Sequence, residues 1–116
     1  MCKVLVAMLI VALNGIGTKA IGAEVPIPRT MADKGKYYLL ESNKKDGITT
    51  TVHKRVGINE IGYSRTEINC KTMQYRDLGY SEDGPDKIKA VVGRWTDALT
   101  GSSKSDLVNF ACSRKL

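Results

Sequence analysis

An α+β fold, in which one disulfide ties a short C-terminal helix to a small antiparallel sheet, follows from three observations on this sequence. Runs of β-branched and aromatic residues recur between turn-forming clusters from residue 36 onward. A serine-led segment near the C terminus gathers Leu107, Val108, Ala111 and Cys112 on one helical face, with Phe110 beside it. Downstream of residue 23 there are two cysteines, Cys70 and Cys112. An even pair in a short exported domain reads as a bridge with only one intramolecular connectivity.

The export expectation comes from the first 23 residues. Lys3 precedes ten apolar residues, Val4 to Leu13, and a small, weakly polar stretch ending at Ala23 follows. That order is a signal peptide over 1–23. Asn14, two glycines and Lys19 interrupt the apolar run well short of the roughly 18 residues a membrane-spanning helix needs. Cleavage after Ala23 and after Ala20 are both compatible with the pattern. No cysteine stands at the junction to carry a lipid, and no integral membrane segment is expected after cleavage.

Residues 24–35, with two prolines, a glycine and no periodicity, predict an extended lead-in to a domain over 36–116. Lys36 to Ser42 predicts a strand, Asp46-Gly47 a tight turn, and Ile48 to Val56 a second strand that closes a hairpin. Gly57 and Gly62 flank a short turn or strand. Thr66 to Tyr75 reads as one long strand with a bulge, because Ile68 and Cys70 share a face until Met73 and Tyr75 take over. Ser81 to Asp86 is a turn cluster. Lys87 to Leu99 fits both periods and is read as strand through Val92. Ser102 or Ser103 caps a helix over 104–112, with Ser103 and Asp106 at capping-box spacing.

Composition narrows the chemistry. The 116 residues carry 18 Lys and Arg, 12 Asp and Glu, and a single His, so the chain has one domain's length and a net charge of +6. Loss of Lys3 and Lys19 with the leader reduces that to +4, too small an excess to indicate a nucleic-acid partner. One His and a bridged cysteine pair supply neither a zinc site nor a Cys–His nucleophile. Glu82, Asp83 and Asp86 lack the spacing of a calcium loop, and Gly57 to Gly62 is followed by Tyr63-Ser64 instead of the phosphate-gripping lysine. No two carboxylates are placed for hydrolysis. A non-catalytic protein without cofactor or metal is therefore expected, with His53 solvated on a polar strand face and Trp95 in the core or covering the disulfide. Binding, where it occurs, is expected on the basic edge of the hairpin, at Lys44, Lys45 and Lys54, against an acidic protein partner. Arg55 must point away from Lys54, since successive strand residues alternate.

The arrangement Glu67-Ile68-Asn69-Cys70, a polar stretch through Tyr75-Arg76, the turn near Gly79-Tyr80-Ser81, then Trp95, Gly101-Ser102-Ser103 and Leu107 to Cys112 resembles the surface-adhesin protein E family of Gram-negative bacteria. The resemblance spans residues 36 to 112 and implies an antiparallel sheet, a C-terminal helix and a disulfide joining the two. It also implies a periplasmic or surface protein that binds other proteins, as founding members bind extracellular-matrix and serum proteins. Those members are lipoproteins, and this chain lacks their lipid-bearing cysteine. A periplasmic accessory of a conjugation or secretion apparatus is the alternative expectation.

Overall fold

The structure, a computed structural model, describes residues 24–30 and 35–114. The expected signal peptide lies outside them. Sheet predominates. Strands β1 (Val25–Pro26), β2 (Lys36–Lys45), β3 (Ile48–Val56), β4 (Ile61–Asn69) and β5 (Gln74–Ser81) lie side by side in chain order, all antiparallel. Two two-residue strands, β6 (Lys89–Ala90) and β7 (Thr96–Asp97), both pair with the outer edge of β5. Among the described residues a single α-helix, α1 (Ser103–Ser113), packs across one face.

The β2–β3 hairpin closes on Asp46 and Gly47 with φ of 55° and 83°, the two positive values that a two-residue turn matched to strand twist requires. Its register, Lys45 opposite Ile48, shifts between Leu39 and Glu41. Leu40 is thus the extra residue of a bulge.

The long strand expected over 66–75 is in fact two strands. The chain reverses at residues 70–73: Asn69 Oδ1 accepts from the backbone N–H groups of Lys71 and Thr72 at 2.9 and 3.2 Å, and Met73 N donates to Asn69 O at 2.7 Å with Met73 at φ 58°. An asparagine that bonds its own following backbone starts a turn in this way. Ile68 then faces Tyr75 across the ladder. The change of phase that looked like a bulge is the hairpin itself.

Residues 87–99 are neither helix nor continuous strand. A single 3-10 turn at Pro85–Lys87 leads to β6, after which Val91 N donates to Leu78 O and Gly93 N to Asp77 O, each at 2.8 Å. The segment therefore follows β5 with irregular pairing, and most of its side chains stay exposed, Ile88 and Ala98 being half-buried.

Ser102 caps α1, its hydroxyl accepting from Ser105 N at 3.1 Å. Leu107, Val108 and Ala111 are buried against Ile27, Leu39 and Ile68, with Tyr37, Tyr75 and Phe110 at the margin. The Cys70–Cys112 disulfide joins the last turn of α1 to the β4–β5 turn. At the other end of the helix, the lead-in is clasped to it. Ile27 N donates to Tyr37 O at 2.9 Å, and the Asp106 carboxylate receives Arg29 Nε at 2.8 Å, Thr30 Oγ1 at 2.8 Å and Thr30 N at 3.2 Å. Asp106 thus serves the lead-in instead of the cap.

Candidate functional site

Which sheet face receives α1 decides the site. On β3, Thr49, Thr51 and His53 alternate with Thr50, Val52 and Lys54, and the helix lies on the threonine and histidine side because Leu39, Ile68 and Tyr75 arrive there from neighbouring strands. His53 is accordingly 6% exposed, which overturns the expectation of a solvated surface residue. Its Nδ1 is buried without a hydrogen-bond partner. Burial, first, and the Lys104 ammonium, second, push its pKa down from 6.5 to about 4 against the opposing pull of Asp77, so the imidazole is neutral at pH 7.

His53 lines a cavity of about 170 Å³ between the start of α1 and the far ends of β2, β3 and β4. Tyr37, Arg55, Ser64, Ser103 and Lys104 share its wall, with Glu60 and Tyr80 at the mouth. Tyr37 OH accepts from Arg55 Nε at 3.1 Å, and Glu60 Oε2 is 4.0 Å from Arg55 Nη1. Lys104 Nζ is held 3.0 Å from Asp77 Oδ1 and 4.8 Å from the Tyr75 ring centroid. Gly62 makes room at the mouth, since a Cβ there would stand 2.8 Å from Tyr80 Cε1.

A second surface has different chemistry. Along the β5 edge, Val91, Val92 and Leu99 are 56, 77 and 73% exposed and Trp95 is 37% exposed. Trp95 thus neither enters the core nor covers the disulfide. Its ring lies 4.9 Å from the Arg76 guanidinium, itself bonded to Glu67 at 2.7 Å, on the sheet face away from α1. Lys87, Lys89 and Arg94 stand in the same segment, with Asp97 as the one carboxylate there beyond residue 86.

The three lysines expected to bind are not brought together. Lys44 and Lys45 share the tip of the β2–β3 turn, on opposite faces, while Lys54 lies six residues along β3 from the partner of Lys45, about 20 Å away. Glu24 Oε2 holds Lys54 Nζ at 2.6 Å, above the Tyr38 ring. The cavity was missed because alternation separates the faces of a strand without saying which one the helix covers. The apolar edge was hidden in a segment whose period was ambiguous.

Among the described residues no three His, Cys, Asp or Glu side chains gather as a metal site, and no helix is long and apolar enough to cross a membrane. No family model, curated protein or solved structure matches this chain.

Proposed function

We propose that this chain is a non-catalytic protein-binding module of an exported compartment, adhesin-E-like in kind, and that it meets its partner through residues 88–99. The observation that carries this reading is the cluster of exposed Val91, Val92, Trp95 and Leu99 on one sheet edge, with Lys87, Lys89 and Arg94 between and beside them. An aromatic anchor among aliphatic side chains with cations at the rim is the composition of a binding hot spot. It selects a partner that offers an acidic, partly apolar surface. The long-loop disulfide supports the export part of the reading, because such bridges persist in oxidising compartments.

Surface plasmon resonance against purified extracellular-matrix proteins tests it, comparing the unaltered chain with Val92→Asp/Trp95→Ala. Loss of a Trp-centred hot spot is expected to weaken binding at least about thirtyfold, corresponding to roughly 2 kcal/mol. Equal binding by both proteins, or binding by neither, overturns the proposal.

A further inference from the structure

We propose that the cavity at the start of α1 is a binding site for a small oxyanion, of the phosphate or sulfate type, held by Arg55, His53 and the first backbone amides of the helix.

Three independent features converge there. The N–H groups of Ser103 and Lys104, the first two residues of an eleven-residue helix, have no hydrogen-bond partner among the described residues, the Ser102 hydroxyl being spent on Ser105, and both residues line the cavity. Orphan amides at the positive end of a helix dipole attract anions. His53, more than nine-tenths buried, lines the same cavity, and its Nδ1 is buried with no partner among the described residues. A buried polar group without a partner is costly unless something completes it, and a neutral imidazole can donate to an oxyanion. Arg55 is aimed by its bond to Tyr37 OH and keeps only a loose counter-ion, Glu60 at 4.0 Å. That carboxylate is 61% exposed, so an incoming anion can displace it into solvent.

Lys104 contributes a second positive charge, offset by Asp77 at 3.0 Å. The groups facing His53 are therefore Tyr37 from β2, Arg55 from β3, Asp77 and Tyr80 from β5, Lys104 from α1 and Glu60 from the loop before β4. At present burial, and after it the Lys104 ammonium, oppose protonation of the imidazole against the pull of Asp77. A bound anion offsets Lys104 and adds to the pull of Asp77, so anion binding and protonation of His53 favour one another and affinity rises as pH falls.

Sulfate is the suitable probe, because its own charge is constant between about pH 5 and pH 8. The disulfide-bonded protein is titrated with sulfate at fixed ionic strength, and the His53 ring resonances and the Ser103 and Lys104 amides are followed by NMR. Saturable shifts at all three residues are expected, with tighter binding at the lower pH. Arg55→Gln should weaken binding about tenfold, the usual worth of one charge-assisted hydrogen bond. His53→Gln should abolish the pH dependence. Lys44→Gln/Lys45→Gln, at the remote hairpin tip, should leave affinity unchanged, and so should Val92→Asp, which separates this site from the proposed protein-binding edge. Non-saturating shifts, or equal weakening by the hairpin-tip variant, overturn the proposal.

Discussion

Removing the Cys70–Cys112 bridge is the sharpest perturbation of this fold. The cysteines are 42 residues apart in sequence, and the loop between them includes β5, the irregular edge and nearly all of α1. Opening a loop of that length returns conformational entropy to the unfolded chain, about 4 kcal/mol at 25 °C by the chain-entropy relation. A single domain of this size holds roughly 5–15 kcal/mol in total, and here the buried apolar side chains are few: Ile27, Leu39, Val52, Ile68, Leu107, Val108 and Ala111. At about 4–8 °C per kcal/mol, Tm should fall by roughly 15–30 °C. Scanning calorimetry of Cys70→Ala/Cys112→Ala against the oxidised protein, and of the oxidised protein with and without reductant, measures it. A fall below about 5 °C by both routes would refute the reasoning, because α1 would then be held to the sheet by packing alone.

Other expectations concern acid, the clasp and the edge. Because the folded pKa of His53 is lowered to about 4 from 6.5, the unfolded chain takes up its proton first, so stability is full above pH 6.5 and falls as pH drops toward 4, by up to about 3 kcal/mol. Urea titrations across that window should show the slope, and His53→Gln should flatten it. Burial draws the Asp106 carboxyl upward, but the hydrogen bonds from Arg29 and Thr30 outweigh it and leave its pKa below the ordinary range. Its contribution is thus present above the ordinary carboxylate range and lost as pH falls through the folded value. Asp106→Ala should cost about 3 kcal/mol near neutrality, read from urea unfolding, since it removes the carboxylate that Arg29 Nε and the Thr30 hydroxyl and amide share. Gly79→Ala should unseat the edge, as its Cβ would collide with the Lys89 carbonyl and come within 2.5 Å of Ile88 Cγ2; faster amide exchange at Val91 and Gly93 would report it.

Local chemistry made the hairpin legible: Asp46-Gly47 announces its turn, and the flanking β-branched residues need no distant partner to prefer extended backbone. The cap at Ser102 and the stripe Leu107, Val108, Ala111 are equally local, and the pairing of Cys70 with Cys112 has no competitor once the leader is set aside. His53 fails for the opposite reason. Val52, on the face opposite His53, is buried too, but α1 lies on the His53 face, where cross-strand register brings Leu39 and Ile68 beside threonines. Periodicity within one strand carries no trace of that choice. The turn at 70–73 was signalled by Asn69, yet two apolar pairs in shifted phase fit a bulge as well as a reversal. The Arg29 to Asp106 contact joins residues 77 apart and leaves no local mark at all.

The two fastenings on α1 also set an order of events. One reaches back to the lead-in and the other to the middle of the sheet, so the element that closes the core follows in the chain everything it secures. A polypeptide delivered N-terminus first, from a ribosome or through a pore, can form the β2–β3 hairpin early but finds nothing to cover Leu39 and Ile68 until Leu107 and Val108 emerge. Before then the Asp106 carboxylate that Arg29 and Thr30 share has not emerged, and Cys70 waits as a free thiol. Threading through a narrow conduit is thereby not opposed by a prematurely locked structure, and the joining of Cys70 to Cys112, with an external disulfide taking up the two electrons and two protons, becomes a chemical record that delivery has reached the helix.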